Sequence, residues 1–343
     1  MSHPPHYVII GAGAAGCEAA LHLRQRDPCS RITLIAGGKL LFINRYELPK
    51  VFHGVNDWRE LLVHPPEFYD EQRITLRRDT WVTRVDPKRR VVGLRHMEWV
   101  AYSKLLVASG GGGYLTEDLR EFRSLMNGFA TFEDAIRVRQ ALPKKGTVIM
   151  LGGDMMGLDL ARTLVGAGFK VTLIAGEQLF WPHNVKPKDA PGFVAALKHM
   201  GLEVVLGRKV AGIKAGTKEK PSRRVILDDS SDLYGDAVMP FCGLMPSLEF
   251  MVGAGVDIER GLLVNPRLQT TNSNIWAGGD VCQIWSPEEN RYRFYYGWKH
   301  VKEMGRVAAF NMTGGDEAVR TYQEDELFLN DKGEIDSPLW EFD

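Results

Sequence analysis

Cysteine is scarce and scattered in this 343-residue chain: Cys17, Cys29, Cys242 and Cys282 form no Cys-x-x-Cys pair and no metal-ligand spacing. A dithiol of neighbouring cysteines and a cysteine-bound zinc are thereby excluded, and a reducing, cytoplasmic setting is expected. Net charge is missing too. The 43 basic residues cancel 43 acidic ones, so no global field draws the chain to nucleic acid or an anionic membrane. No apolar run approaches the roughly 20 residues of a bilayer span. Met1 to His6 lead into a strand without a secretory-signal pattern, so no export is expected. With 44% apolar and 25% charged residues the chain reads as globular, long enough for two or three domains. Glycine, at 36, is the one unusual count, and its placement decides the reading.

The chain contains an imperfect copy of itself. Tyr7-Val-Ile-Ile-Gly-Ala-Gly-Ala-Ala-Gly16 is a buried-type strand entering a glycine turn, followed by an apolar helix from Cys17 to Leu23. Thr147-Val-Ile-Met-Leu-Gly-Gly-Asp-Met-Met-Gly157 repeats that layout, with a helix from Leu158 to Val165. The strands that follow, Ile32 to Gly37 and Val171 to Gly176, are nearly identical. The turns lie 152 − 11 = 141 residues apart and the second strands 171 − 32 = 139. A duplicated strand–turn–helix–strand predicts an α/β protein of two Rossmann-like, dinucleotide-binding domains with parallel sheets. Further strands are expected at Arg73–Arg78, Trp81–Val85, Val91–Leu94 and Tyr102–Ala108, then at Gly201–Leu206, Ser222–Leu227 and Asp236–Phe241. Gly110 to Gly113 form either a close backbone approach or a flexible linker. Gly314 and Gly315 close the last helix, and the acidic tail 316–343 is a docking peptide or a strap on the first domain.

The turns state their chemistry. In Gly11-Ala-Gly13-Ala14-Ala15-Gly16 the first glycine permits the tight turn and the second lets a pyrophosphate approach the backbone. The third packs helix on strand, and the helix N-terminus offers free N–H groups to the phosphates. One part is absent. The carboxylate that normally closes the second strand and holds the adenosine ribose is replaced by Ala36-Gly37-Gly38. The second turn, Gly152-Gly153-Asp154-Met155-Met156-Gly157, departs further, with aspartate at the middle-glycine position. A carboxylate there blocks the approach of a pyrophosphate and repels it, by roughly 4 kcal/mol for unit charges about 4 Å apart at an effective dielectric of 20. The strand behind it ends at Ala175 without its own carboxylate; Glu177 is the nearest substitute, and no basic cluster offers to read a 2′-phosphate.

Over roughly residues 5–318 the chain resembles the two-dinucleotide-domain flavoproteins of the pyridine nucleotide–disulfide oxidoreductase superfamily. Within it the pattern is similar to rubredoxin and ferredoxin reductases and to the nitrite reductase flavin domain. The resemblance rests on the two turns and on Phe42-Ile-Asn-Arg45-Tyr-Glu-Leu-Pro-Lys50, Leu106-Val-Ala108-Ser109-Gly110, Thr271 to Asp280, and Met304 to Gly314. It implies an FAD domain from residues 1–112 and 249–318, split by an NAD(P)H-type domain at 113–248. Gly11, Gly13, Ala14, Ala15, Gly16, Arg45, Val82, Ala108, Ser109, Gly110, Gly279 and Asp280 would hold the FAD, with Arg45 on its phosphates and Asp280 on its hydroxyls. Trp298 and Lys299 would open the helix pointing at the flavin pyrimidine. Gly152, Asp154, Met155, Met156, Gly157 and Glu177 would face NADH, which is expected over NADPH. Lys50 is expected to pair with Asp159 beside flavin N5, as the two residues touching the chemistry.

No sulfur stands in the segment Phe42–Tyr46, where single-cysteine members of the superfamily carry theirs, so disulfide and peroxide reduction are not expected. The superfamily's C-terminal dimer domain, on the order of 100 residues, does not fit in the tail. Two principal readings remain open. In one, hydride from NADH reaches flavin N5 and electrons pass singly to an iron–sulfur or similar carrier protein. In the other, Asp154 leaves the nicotinamide site degenerate, and the flavoprotein exchanges electrons with a partner or assists its assembly. A non-enzymatic FAD-bound scaffold is a third reading. The aromatics Trp285, Arg291–Trp298, Trp340 and Phe342 are equally fit for a core or for a partner surface.

Overall fold

The computed structural model describes residues 4–176, 179–183, 185–186, 188–217, 222–320, 328–330, 333 and 335–336. The first unit is β1 (His6–Ile10), α1 (Ala14–Arg26) and β2 (Arg31–Ile35). A 3-10 segment, Arg45–His53, and the one-turn helix α2 (Phe68–Glu71) lead to β3 (Ile74–Arg77). An antiparallel meander follows, β4 (Val82–Asp86), β5 (Val91–Leu94) and β6 (Trp99–Ala101), then β7 (Lys104–Val107) and β8 (Gly111–Gly113). The second unit comprises α3 (Phe132–Ala141), β9 (Thr147–Gly152), α4 (Met155–Gly166), β10 (Lys170–Ala175), α5 (Ala190–His199) and β11 (Glu203–Leu206). Its own meander is β12 (Val210–Lys214), β13 (Arg223–Leu227) and β14 (Asp232–Gly235), followed by β15 (Ala237–Phe241) and β16 (Leu244–Pro246). Last come β17 (Leu262–Val264), β18 (Ile275–Ala277), β19 (Cys282–Ser286), β20 (Arg291–Arg293) and α6 (Trp298–Met312).

The first parallel sheet has the order β18–β7–β1–β2–β3. Its edge strand β18 comes from the last third of the chain, and the second parallel sheet, β11–β10–β9–β15, is built from the residues in between. Both are α/β layers with an antiparallel meander on one face. The apolar run of β1 packs Val8 and Ile9 in one cluster with Leu23 of α1, Val307 and Ala308 of α6, and Val85 and Val92 of the first meander. Strand β9 divides its side chains with period two. Val148 and Met150 join the helix side with Leu160 and Leu164, while Ile149 and Leu151 face Ile213 and Val225 of the second meander.

Two details position the site. The loop between β2 and β3 reaches across to the second domain, where Leu48 and Val51 are buried with Leu158 and Leu160 of α4. Gly111 to Gly113 are not a flexible linker: they pair antiparallel with β16, and a Cβ on Gly111 would lie 2.2 Å from Leu244 Cδ2. The described part of the tail corrects another expectation. Phe328–Leu329 pairs with Ile335–Asp336, and Ile335 is buried in the cluster containing Phe193 of α5, so this part packs on the second domain rather than the first.

Candidate functional site

The first glycine turn is an open cradle. Gly11 sits at φ +107°, where a Cβ would strike the Ala108 carbonyl at 2.0 Å, and a Cβ on Gly16 would meet the Gly11 carbonyl at 1.9 Å. These two contacts lock strand, turn and helix together and leave no room for any residue but glycine. Gly13 is different: nothing lies within 4 Å of its missing Cβ. It is also the N-cap of α1, with no side chain capping the helix. The N–H groups of Ala14, Ala15 and Gly16 have no acceptor among the described residues. An empty space lined by uncapped helix donors is what a pyrophosphate requires.

The other end of the chain completes that cradle. Helix α6 crosses α1 at backbone contact, since a Cβ on Gly305 would reach the Ala15 carbonyl at 2.3 Å. Gly279, at φ +82°, lies against Ala15 in the same way, 3.3 Å from its Cβ. The crossing delivers Asp280 to the turn. Burial pushes its carboxyl up to about 6, against the pull of the Arg45 guanidinium, and it has no hydrogen-bond partner among the described residues. Ser109 is anchored by donating to the Ser247 carbonyl at 2.6 Å, and the Gly110 carbonyl accepts from Ser247 N at 2.9 Å. Trp298, buried at the uncapped start of α6, stacks on Phe42 (5.9 Å, 20°) and meets Tyr46 edge-on (6.4 Å, 90°). Val82 lies half-buried at the start of β4, and Lys299 is exposed. An orphaned carboxylate, an arginine whose charge reaches it and an open anion cradle fit an FAD, which Gly13 to Ala15, Arg45 and Asp280 would hold.

The second turn has the same skeleton and the opposite filling. Gly152, at φ +90°, touches the Phe241 carbonyl as Gly11 touches Ala108, and Gly157 packs on the Phe241 ring. Asp154, however, turns its buried carboxylate inward. It accepts from Gly157 N at 2.8 Å and from Gly243 N at 3.1 Å, with Met156 N as a further donor. The remaining first-turn donor, Met155 N, is taken by the Trp181 carbonyl at 2.9 Å. Every N–H that a dinucleotide phosphate would use on α4 is thus satisfied by the chain itself. Burial lifts the Asp154 carboxyl to about 6, while those three N–H bonds pull it down. Sequence predicted repulsion; the structure adds occupation.

A strap covers this turn. Phe180 N donates to the Gly153 carbonyl at 2.7 Å, and the Phe180 ring is 1% exposed. The Trp181 ring lies over Gly243 and against Tyr296 at 4.7 Å, with Tyr296 stacked in turn on Phe294. Sequence reasoning passed over Trp181 and Tyr46. Tyr46 lies in the crevice between the turns, its phenol pushed up by burial and by Asp280, lowered by Arg45 and raised again by Asp154. Its place inside the Phe42–Lys50 segment was the available signal. Glu177 lies outside the described residues.

The expected Lys50–Asp159 ion pair is not formed. Lys50 pairs with Glu47 (3.0 Å) and Asp159 with Arg162 (2.8 Å), each three residues away on its own helical turn. Neighbours at that spacing compete effectively with a partner on another element. Burial raises the Asp159 carboxyl, with Arg162 opposing. All four cysteines are free. Burial pushes Cys17 up to about 12 and Cys242 to about 11, and raises Cys282 as well, which keeps these thiols protonated and unreactive near neutrality. Among the described residues no group of His, Cys, Asp and Glu could hold a metal ion, and no helix is long and apolar enough to cross a membrane.

The pyridine nucleotide-disulphide oxidoreductase family profile matches residues 5–306. A rubredoxin-NAD(+) reductase of Pseudomonas putida is 29% identical over 277 residues, 80% of this chain and 71% of that protein. Putidaredoxin reductase of the same organism is 26% identical over 300 residues, covering 85% of this chain and 70% of that one. The fold superposes on putidaredoxin reductase from its covalent complex with putidaredoxin at a TM-score of 0.85, with 24% identity over 97% of this chain and 80% of the other. A ferredoxin reductase from Rhodopseudomonas palustris gives 0.83, with 25% identity over 93% and 78%.

Proposed function

Because the chain belongs to the pyridine nucleotide-disulphide oxidoreductase family, we propose that it is an FAD-dependent oxidoreductase that takes electrons from NADH and passes them to a small redox carrier protein. The observation that carries this reading is the open first cradle, with Gly13 facing free space, Gly279 against Ala15, and the neighbouring Asp280 in the field of Arg45. FAD, when bound, supplies the step from two-electron donor to one-electron acceptor. The chain's own work is binding and electrostatics. The α1 N-terminus and Arg45 neutralise the pyrophosphate. Asp280 accepts hydrogen bonds from sugar or ribityl hydroxyls, and the uncapped start of α6 holds positive potential at the pyrimidine end. The division into two parallel sheets supports assigning residues 1–112 and 249–318 to FAD and 113–248 to the nicotinamide nucleotide. The relatives named for their rubredoxin and putidaredoxin activities favour an iron–sulfur carrier as acceptor. Scattered free cysteines favour a reducing, cytoplasmic setting.

Asp154 favours a second reading, in which NADH is not the donor and a partner protein reduces the flavin. In the first reading NADH must displace the Asp154 carboxylate and the Trp181 carbonyl from α4, so it binds weakly. Anaerobic mixing of the purified protein with NADH, followed by flavin absorbance, separates the two. Bleaching at millimolar NADH supports the first. Flavin that stays oxidised with NADH yet bleaches with dithionite supports the second.

A further inference from the structure

The carboxylate missing from the end of β2 leaves the adenosine end of the first cradle without its usual holder, and the structure shows what fills the place. A Cβ on Gly37 would lie 3.2 Å from Cε2 and 3.3 Å from Cδ2 and Cε3 of Trp81. Three ring atoms at nearly equal distance mean that the indole presents its face, lying across the direction in which a side chain at residue 37 would grow. The ring is held there by its backbone. Thr80 N donates to the Ala36 carbonyl at 2.9 Å, Asp79 N to the Gly38 carbonyl at 3.0 Å, and Arg95 N to the Trp81 carbonyl at 2.9 Å. Arg78 adds a bond from Nη1 to the Lys39 carbonyl at 2.9 Å. The segments 36–39 and 78–81 are therefore laced together, and the backbone that carries the indole is held beside the end of β2.

Despite that rigid backbone, Trp81 stays 52% exposed. Arg95 stands over it with Cζ 5.8 Å from the ring centroid, which still leaves half of the side chain in water. In dinucleotide folds of this kind the adenosine lies beyond the carboxyl end of the second strand, where a carboxylate reads the ribose. Here that end offers Ala36, Gly37 and Gly38, then Lys39, and a fixed aromatic face instead. Aromatic faces hold bases by stacking, without reading their edges or their sugar.

We propose that Trp81 is the adenine platform of the first cradle, stacking the adenine of FAD on its exposed face, opposite Gly37, in place of the hydrogen bonds a ribose carboxylate would make. The inference rests on the FAD reading above and adds a residue that selects the dinucleotide.

The test is reconstitution of the flavin-free protein with FAD, following quenching of flavin fluorescence, in the wild type and in Trp81→Phe and Trp81→Leu. Leucine refills the space above Gly37 but has no π face; phenylalanine keeps one. Stacking predicts that Trp81→Leu weakens FAD binding about 10- to 100-fold while Trp81→Phe stays within about threefold. Equal affinities in all three proteins, or equal losses in both variants, overturn the platform and leave Trp81 as packing for Gly37. If the wild type itself takes up no FAD, the functional reading fails, an outcome distinct from failure of the platform alone.

Discussion

Two copies of one glycine turn sit 141 residues apart in this chain, at Gly11 and Gly152, and they have diverged at the atom that matters for an anion. In the first, Gly13 leaves the N-terminus of α1 uncapped and faces free space. In the second, Asp154 caps α4 with a buried carboxylate and ties it to Gly243, while Trp181 takes the last donor. The contact of the first glycine is otherwise the same, Gly11 on the Ala108 carbonyl and Gly152 on the Phe241 carbonyl. Fold and ligand site are thus separable properties of the motif. A glycine turn can be kept as a packing device after its cradle has been filled.

The most severe way to break the comparison is to write the second turn into the first. Gly13 has φ −90°, so a side chain is permitted there, and its surroundings are empty. Gly13→Asp should therefore fold and yet lose FAD affinity by about three decades, the factor that roughly 4 kcal/mol of charge repulsion implies. The purified variant would be colourless, and a yellow one with unchanged affinity would deny the cradle its role.

A milder probe is pH. The Asp154 carboxyl is raised to about 6 in the folded chain from an ordinary 3.8. The native state therefore holds this proton more tightly than the unfolded one, and the site's stability contribution falls as pH rises between those values. The same proton relieves repulsion of a pyrophosphate, so NADH should bind up to about fivefold more weakly at pH 7 than at pH 6. Asp280 also titrates near 6, and Asp154→Asn separates them: dependence that persists in the variant belongs to Asp280. The smallest effect is expected at Lys50. Its side chain is 54% exposed and paired with Glu47. Lys50→Met should lower the flavin potential by at most about 20 mV, since an exposed pair is worth up to about 1 kcal/mol. A redox titration showing a far larger drop would restore the expected contact with the flavin.

Much of the fold was legible because its signals are local. The runs Tyr7–Ile10 and Thr147–Leu151 with their glycines predicted both parallel units, and the helices extend only a few residues beyond their expected bounds. The identity of Asp154 was legible as well. Its orientation was not, because the bond from Gly243 N spans 89 residues of sequence. Trp181 escaped notice for the same reason: its carbonyl acquires meaning only where the strap returns to the turn. Lys50 and Asp159 failed in the opposite direction, each held by a charged neighbour three residues away that the sequence displays openly.

The claim that the second cradle is closed by the chain's own carboxylate is tested most directly by anaerobic stopped-flow bleaching of the flavin with NADH in Asp154→Gly beside the wild type. The variant should bleach at NADH concentrations lower by up to about a thousandfold, as relief of the repulsion implies. Identical concentration dependence in the two proteins would contradict the account.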